Sequence, residues 1–286
     1  MTIKRAYTTL LYQLFDLYGD RESANISDWI LEHITGLKKI DRIVNKHFEL
    51  NDLQQAQLQQ ITNQLLNHKP VQYVLKEAWF AGIKLYVDEN VLIPRPETEE
   101  LVEWIIDEAK NSKAEIINLL DIGTGSGCIP IAIKNRLPFL KTDAIDISEK
   151  ALHVAKKNAT DGSLEINFTQ LNILDKNEWK QLNKYDIIVS NPPYIKQSEA
   201  KDMNKNVLLF EPAIALFVPD NNALLFYETI ATFGLQHLSK KGILFFEINE
   251  LLGENVLAVL KKFGYINTEL KKDMQGKNRM IKARLP

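Results

Sequence analysis

Residues 119–133, LLDIGTGSGCIPIAI, decide the fold because they join an apolar strand to a helix through three glycines. Glycine adopts positive φ at little steric cost, so Gly123, Gly125 and Gly127 predict a tight turn whose backbone a ligand can approach closely. Asp146 ends the next apolar segment about 20 residues later, where a carboxylate can hold the two hydroxyls of a ribose. The stretch therefore predicts a strand, a turn and a helix, with an adenosine-containing ligand at the turn.

Further strands and helical segments alternate on either side of this stretch. The apolar segments that we interpret as strands begin at Ile116 and read IINLLDIG, KTDAIDIS, EINFTQLN, YDIIVSNP and GILFFEIN. This alternation is typical of an α/β fold, in which helices cover both faces of a parallel sheet. At the carboxyl end, YINTELKKD and RMIKARLP flank a turn at MQGKN, which predicts an antiparallel hairpin at the edge of the sheet.

The glycine turn allows two interpretations. In the first, it only makes a tight connection, and Asp146 caps the next helix together with Ser148. In the second, the turn binds a ligand. The pattern of the turn, Asp121-Ile-Gly-x-Gly-x-Gly, differs from the dinucleotide-binding pattern G-x-G-x-x-G. It resembles instead the doubly wound S-adenosylmethionine-dependent methyltransferases, which implies Asp121 near the methionine moiety. That resemblance also implies Asn172 and Ile173 at the adenine ring, with the Asn172 carbonyl oxygen accepting from the adenine amino group.

The first 75 residues read as helices. Gly19 ends one apolar helical segment, Ser27 is a candidate N-cap for the next, and Gly36 follows its end. A short third helix is expected in KKIDRIVNKHF, and a longer one in NDLQQAQLQQITNQLLNH, with Leu53, Ile61, Leu65 and Leu66 on one face. This region carries eight basic and eight acidic residues, so it is a poor candidate for binding DNA.

After this region, apolar alternation on both sides of residues 88–90 predicts a β-hairpin, and PRPETEELVEWIIDEA begins a helix.

The composition limits the classes of protein and of site. The 286 residues are 45% hydrophobic, which excludes a disordered or fibrous chain, and the formal charge of −2 gives no overall attraction to nucleic acid or an anionic membrane. Cys128 is the single cysteine, so no internal disulfide or cysteine-based zinc site is expected, which suits the cytoplasm. The five histidines have no ligand spacing, so we predict no metal. No apolar run is long enough for a transmembrane helix.

The segment SNPPY follows the predicted strand YDIIV and indicates chemistry on an amide nitrogen. In an open parallel sheet, ligands bind beyond the carboxyl ends of the strands, so this segment should face the cofactor. The Asn191 side-chain oxygen and the Pro192 carbonyl can accept both hydrogens of an amide nitrogen and aim its lone pair at a methyl group. Pro193 fixes the turn, and Tyr194 can pack on the planar amide. A rigid proline turn with a surface tyrosine is the alternative.

Six segments in order make the chain similar to the HemK family of protein glutamine N5-methyltransferases: KPVQYVL, VLIPRPETEELV, DIGTGSGCI, SNPPYI, FEPAIAL and GKNRMIKARL. The resemblance implies a Rossmann-like methyltransferase domain over residues 96–286, a β-hairpin linker over 76–95 and a helical docking domain over 1–75. It implies methylation of the glutamine in the Gly-Gly-Gln loop of peptide-chain release factors, with S-adenosylhomocysteine as product. It places the cofactor along the whole turn, Thr124 and Ser126 included, near Ile173 and at Asn191, and the substrate glutamine against residues 191–194. We expect a monomer.

Several alternatives stay open at the sequence level. An adenine-N6 methyltransferase acting on DNA or RNA would also use NPPY, but it would need a basic recognition surface. A non-catalytic docking protein would have no chemical reason to keep the glycine turn, the ribose acid and NPPY together. Arg95, Glu97 and Thr98 could close over the cofactor, or Thr98 and its neighbours could cap the following helix. Glu211 is expected to be a structural acid in a turn.

Overall fold

The computed structural model describes residues 1–111 and 117–286; the predicted strand start at Ile116 lies outside these ranges. The helices are α1 (Ile3–Thr35), α2 (Lys39–Val44), α3 (Asp52–Leu66), α4 (Val71–Leu75), α5 (Pro96–Lys110), α6 (Cys128–Arg136), α7 (Glu149–Asp161), α8 (Lys205–Phe210), α9 (Ala213–Leu216), α10 (Leu225–His237) and α11 (Gly253–Lys262). The strands are β1 (Ala78–Phe80), β2 (Ile83–Leu85), β3 (Asn118–Ile122), β4 (Lys141–Asp146), β5 (Asn167–Gln170), β6 (Tyr185–Ser190), β7 (Ile195–Lys196), β8 (Phe217–Val218), β9 (Leu238–Glu247), β10 (Ile266–Lys272) and β11 (Asn278–Arg284). None of the described helices combines the length and the apolar character that crossing a membrane requires.

The chain divides into two compact units, residues 1–76 with 204–210 and residues 77–203 with 211–286. The first unit is helical and has its own apolar core, formed mainly by α1, α3 and α4. Gly19 interrupts α1 with φ 73° and ψ 178°, and Gly36 ends it with a left-handed cap whose N–H donates to the Glu32 carbonyl. These two glycines therefore mark the break and the end that the sequence predicts.

Two predictions for this helical unit are wrong. Ser27 is not an N-cap, because the chain resumes helical geometry soon after Gly19 and the Ser27 hydroxyl donates to the Ser23 carbonyl inside α1. The buried face of α3 also differs from the predicted one, since Leu53 and Leu66 are 69% and 43% exposed. Helical spacing explains the difference, because residues at i, i+3, i+4 and i+7 share a face. The buried residues of α3 follow this spacing: Leu58, Ile61, Thr62 and Leu65.

The second unit contains a seven-stranded sheet in the order β10-β11-β9-β6-β3-β4-β5. The strands β9, β6, β3, β4 and β5 are parallel, and β11 pairs antiparallel with both β9 and β10. This mixed sheet confirms the predicted α/β class and the antiparallel hairpin at the carboxyl end. The chain runs from β3 outward to β5 and then returns to β6 on the other side of β3. A ligand-binding crevice is expected where the strand order reverses in this way.

Apolar residues from alternate positions of the central strands pack on opposite faces of the sheet. Leu119, Ile187 and Phe245 belong to a core that α5 and α6 cover. Their sequence neighbours Leu120 and Ile188 belong to a second core, which α10 and α11 cover. Full burial of each such side chain contributes roughly 1.5–3 kcal/mol, so the two cores hold the sheet between layers of helices.

A β-hairpin forms in this segment, but it is not the predicted one: both strands precede residues 88–90, and the turn lies seven residues before the predicted turn. β1 and β2 are antiparallel with Phe80 opposite Ile83, and the turn residues Ala81 and Gly82 both have positive φ. Such two-residue turns match the twist of a hairpin. The Asp88 side chain instead accepts from the backbone and side-chain nitrogens of Asn90, which closes a local turn rather than a hairpin.

Candidate active site

The three glycines of the turn after β3 all adopt positive φ, at 75°, 55° and 79° for Gly123, Gly125 and Gly127. The backbone N–H groups of Gly123 and Thr124 both donate to the Ile145 carbonyl of β4, at 2.9 and 3.0 Å. A Cβ on Gly127 would lie 3.0 Å from Ile131 Cδ1 and close to α7. Glycine is therefore required at this position for both its conformation and its small size.

Asp146 has two roles at the end of β4. Its Oδ2 accepts from the Gly125 N–H at 2.9 Å, and its Oδ1 accepts from the Ser148 N–H at 2.9 Å. Ser148 caps α7, because its hydroxyl accepts from the Ala151 N–H. Burial raises the pKa of the Asp146 carboxyl. The structure thus contains the capping contact of the first interpretation and also links Asp146 directly to the glycine turn.

A cavity of about 220 Å³ opens at the carboxyl ends of the parallel strands. Its lining includes eight of the predicted site residues, namely Gly123, Gly125, Asp146, Asn172, Ile173, Asn191, Pro192 and Pro193. The structure therefore brings the glycine turn, the predicted ribose acid and the NPP segment to one cavity. Most of its remaining wall is aliphatic or aromatic, which suits the faces of a planar base. Sequence reasoning missed these wall residues, among them Val91, Leu92, Leu174, Pro212, Ile214, Phe226 and Ile230.

Four residues predicted to bind the cofactor do not line this cavity: Asp121, Thr124, Ser126 and Gly127. The first three carry buried polar atoms that find no hydrogen-bond partner in the described part of the chain. These atoms are both carboxylate oxygens of Asp121 and the hydroxyls of Thr124 and Ser126. Burial raises the pKa of Asp121 to about 7. Unpaired polar groups of this kind are costly, so a cluster of them beside a cavity fits a charged polar ligand.

The predicted adenine residues follow β5. The side-chain oxygen Oδ1 of Asn172 accepts from the Leu174 N–H at 3.0 Å, and the backbone N–H of Asn172 donates to Glu178 Oε2 at 2.8 Å. A carbonyl oxygen has two lone pairs, so this turn leaves one for a ligand. Ile173 is buried, and its carbonyl accepts from the Trp179 indole at 2.9 Å. These contacts fix the segment at the wall of the cavity.

The NPPY segment leaves β6 beside the glycine turn. The Ser190 hydroxyl donates to the Ile122 carbonyl at 2.7 Å, which ties the ends of β6 and β3 together. Tyr194 does not line the first cavity; it borders a second cavity of about 490 Å³ together with Lys277 and Arg279. Burial raises the pKa of Tyr194 to about 12, so its phenol is neutral at physiological pH.

Two buried glutamates hold the segments around the site, and the sequence indicated a structural role for Glu211 but no role for Glu247. Glu211 has the structural role that its place in a turn indicated: its side chain forms an ion pair with Arg95 at 2.6 Å and accepts from the Ile93 N–H at 3.2 Å. Glu247 ends β9 and accepts from the Thr98 hydroxyl at 2.6 Å. Thr98 therefore does not cap α5, whose N-cap is Arg95 without a side-chain hydrogen bond.

Solved structures share the fold of this site. A methyltransferase from Pyrococcus furiosus superposes with a TM-score of 0.50 at 14% identity, covering 82% of this chain and 98% of that one. The hMettl16 catalytic domain, solved in complex with MAT2A 3'UTR hairpin 6, gives a TM-score of 0.55 at 16% identity, with 82% of each chain covered. At these identities the likeness establishes the fold alone.

Sequence comparisons are more specific. Residues 103–225 match the family model "Methyltransferase small domain", and residues 13–75 match "PrmC N-terminal domain". The chain is 45% identical to the release factor glutamine methyltransferase of Flavobacterium psychrophilum, with 99% of both chains covered. It is 39% identical to that of Bacteroides thetaiotaomicron, over 94% of this chain and 95% of the relative. These matches extend over both units, and they confirm the resemblance that the motifs indicated. The chain belongs to the release factor glutamine methyltransferase family.

Proposed function

We propose that this enzyme transfers a methyl group from S-adenosylmethionine to the side-chain amide nitrogen of the glutamine in the Gly-Gly-Gln loop of peptide-chain release factors. The observation that carries the proposal is the shared cavity of Asp146, the glycine turn and the NPP segment. An adenosine-binding turn and an amide-accepting turn are thereby adjacent, as methyl transfer to an amide nitrogen requires. The names of relatives that match the chain over nearly its full length support the same substrate.

The residues present fit this cofactor. Asp146 would bind the ribose hydroxyls, and Asn172 and Ile173 would bind the adenine; all three line the cavity. The unpaired atoms of Asp121 and Thr124 suit the charged amino-acid end, because a buried carboxylate without a partner attracts an ammonium group. Together with Ser126, these residues would hold the cofactor along the turn. When bound, S-adenosylmethionine supplies an electrophilic methyl group on its sulfonium centre.

The NPPY segment then prepares the substrate nitrogen. An amide nitrogen is a weak nucleophile because its lone pair is delocalised into the carbonyl. The Asn191 side-chain oxygen and the Pro192 carbonyl accept its two hydrogens, and Pro193 keeps that carbonyl in a fixed direction. The neutral ring of Tyr194 packs against the substrate amide. Transfer would form the N–CH3 bond as the S–CH3 bond of the cofactor breaks, with S-adenosylhomocysteine as the leaving group. The proton that the nitrogen loses passes to water, so no strong base is needed.

The partner is a protein rather than a nucleic acid in this proposal. The helical unit would dock the release factor, consistent with the equal numbers of basic and acidic residues among residues 1–75. The enzyme would act as a monomer in the cytoplasm, where release factors work on ribosomes. Its product besides the methylated glutamine is S-adenosylhomocysteine.

Methyl transfer from labelled S-adenosylmethionine tests the proposal. The substrates are a purified release factor, its Gly-Gly-Ala variant and an unmethylated DNA duplex. We expect label on the wild-type factor alone. Label on the duplex would favour the adenine-N6 alternative, and label on the Gly-Gly-Ala variant would move the reaction to another residue.

The Asn191→Ala variant separates the role of this residue from cofactor binding. We expect turnover to fall by about 100-fold or more, since the change removes one of the two acceptors that orient the substrate nitrogen. The dissociation constant of S-adenosylhomocysteine should change far less. Equal losses in both quantities would contradict the role of Asn191 as an amide acceptor.

A further inference from the structure

Glu247 is a buried acid next to Asn191 at the carboxyl edge of the sheet, and the proposed function leaves it without a role. It is 2% exposed and ends β9, the strand that neighbours β6. Ser190 pairs with Phe246 in this parallel ladder, so Asn191 and Glu247 leave the sheet side by side at its carboxyl edge. The register therefore places an acceptor-only side chain beside the amide that would bind the substrate.

One hydrogen bond and two neighbouring groups act on the Glu247 carboxylate. The Thr98 hydroxyl donates to its Oε2 at 2.6 Å, from the first turn of α5. The neighbouring Asn191 side chain, as a hydrogen-bond donor would, and the positive charge of Arg279 both lower the pKa of Glu247 and favour its ionised form. Burial is the larger effect and raises the pKa of Glu247 to about 7.

An asparagine side chain can present either its oxygen or its NH₂ group to a given neighbour. A carboxylate accepts hydrogen bonds and cannot donate them, so it binds the NH₂ group and turns the oxygen away. The Thr98 hydroxyl, in turn, restricts the carboxylate itself. A carboxylate held by Thr98 and adjacent to Asn191 in the register therefore favours the one orientation of Asn191 in which its oxygen can accept from a substrate amide.

We propose that Glu247 is a positioning residue for methyl transfer, which holds the Asn191 amide with its oxygen toward the substrate, and that Thr98 holds Glu247 in place. The inference rests on the proposed function, because it concerns the orientation of the amide acceptor. It also assigns a role to Thr98 of the PRPETE segment that neither cofactor closure nor helix capping provides.

The test compares Glu247→Gln with the wild-type enzyme on a purified release factor. Glutamine keeps the size and the Thr98 contact, but its NH₂ group can donate to the Asn191 oxygen and stabilise the wrong orientation. We expect kcat to fall by about 10-fold or more, while the dissociation constant of S-adenosylhomocysteine stays within about twofold. Glu108→Gln is the control, since Glu108 pairs with Lys282 and Arg284 and lines neither cavity.

A second pair of variants keeps the inference testable if Glu247→Gln is poorly folded. Thr98→Val removes the hydroxyl with little change in shape, and we expect kcat to fall by about threefold to tenfold. Thr98→Ser restores the donor and should bring kcat back to within about twofold of the wild type. Thr142→Val is the matched control, because Thr142 is equally a buried threonine but lies on β4, and its hydroxyl has no partner within the described ranges.

The pH profile adds a readout that a purely structural role would not change. Turnover of the wild type should fall as the pH drops through about 7, because protonation of Glu247 weakens its hold on the Asn191 amide. Glu247→Gln should lose the part of this limb that Glu247 contributes, whereas Asp121, whose pKa is also raised to about 7, titrates in both enzymes. Other titratable or charged groups face the carboxylate and remain in both enzymes, so the comparison isolates Glu247: Glu97, Cys128, Tyr194, Tyr227 and Arg279.

The outcomes distinguish this inference from the function on which it rests. A wild-type enzyme that does not methylate the release factor would overturn the proposed function itself. With an active wild type, a folded Glu247→Gln enzyme with unchanged kcat would overturn the positioning role. The same conclusion would follow if Thr98→Val behaved like Thr142→Val, or if cofactor affinity fell as much as kcat did.

Discussion

Replacing Asp121 with asparagine should stabilise the ligand-free protein at alkaline pH. Asp121 is fully buried, and neither carboxylate oxygen finds a hydrogen-bond partner in the part of the chain described. Burial raises its pKa from 3.8 to about 7. A neutral Asp121 carboxyl therefore contributes stability that is fully present below about pH 4 and is lost as the pH rises through 7.

The magnitude follows from the same pKa. At about 1.4 kcal/mol per pKa unit, ionising Asp121 costs roughly 4 kcal/mol above pH 7, which is an upper bound because buried sites relax. The asparagine side chain of Asp121→Asn carries no charge at any pH, so the advantage of the variant should grow from near zero at pH 4 toward that bound at pH 8. Glu247 also has a raised pKa, but it is common to both proteins and cancels in the difference.

Denaturant unfolding across this pH range measures the difference, with the buried Trp104 and Trp179 as fluorescence reporters in the unit that contains Asp121. Asp107→Asn, at an exposed position on α5, is the control and should change little with pH. S-adenosylhomocysteine should stabilise the wild type more than Asp121→Asn, because its ammonium group would pair with the carboxylate. A difference in stability that does not vary with pH would refute the reasoning.

Three further changes test the parts of the site. Asp146→Ala should weaken S-adenosylhomocysteine binding by about 10-fold or more in calorimetry. The change removes the predicted ribose contact and leaves the Gly125 N–H without its acceptor. An unchanged dissociation constant would contradict the assignment of Asp146 to the ribose. Gly127→Ala should destabilise the protein by roughly 2–4 kcal/mol in thermal unfolding, because the new Cβ is on a residue with positive φ and lies 3.0 Å from Ile131 Cδ1. Gly276→Ala is the control, since it places a Cβ at positive φ but in open space. Similar losses of stability for both variants would contradict the steric contact at Gly127. Arg95→Ala should lower the free energy of unfolding by roughly 1–3 kcal/mol, because it leaves the buried Glu211 without its cationic partner; solvent screening at the one-third exposed Arg95 keeps the loss in this range. Arg95→Lys should recover part of the loss. An unchanged stability for Arg95→Ala would show that the ion pair is not needed.

The sequence predicted those features of the fold that rest on local signals. Alternating strands and helices, the glycine turn and the C-terminal hairpin each depend on a pattern within a few residues, and the structure contains all of them. The errors arose where neighbouring segments decide between local alternatives. Ser27 is a good N-cap residue, yet the helix begins before it. The hairpin turn forms at Ala81 and Gly82 and not at residues 88–90. The sequence did not indicate this position, because alanine rarely adopts positive φ.

The sequence predicted those residues of the site whose side chains, or lack of one, belong to a recognisable motif with a specific chemical role. Gly125, Asp146 and Asn191 were named from motifs, and they meet at one cavity. Its apolar wall was not predictable, because aliphatic residues such as Leu92 and Ile214 give the same signal in a core as in a pocket. Glu247 was missed for a related reason, since its contacts with Thr98 and Asn191 join positions far apart in sequence.

Locating the transferred methyl group tests the central claim most directly. The enzyme, S-adenosylmethionine and a purified release factor are incubated, and the digested factor is analysed by fragmentation mass spectrometry. The account predicts one methyl group on the side-chain nitrogen of the glutamine in Gly-Gly-Gln. A methyl group on another residue, or a factor left unmethylated by an enzyme that binds the cofactor, would contradict it.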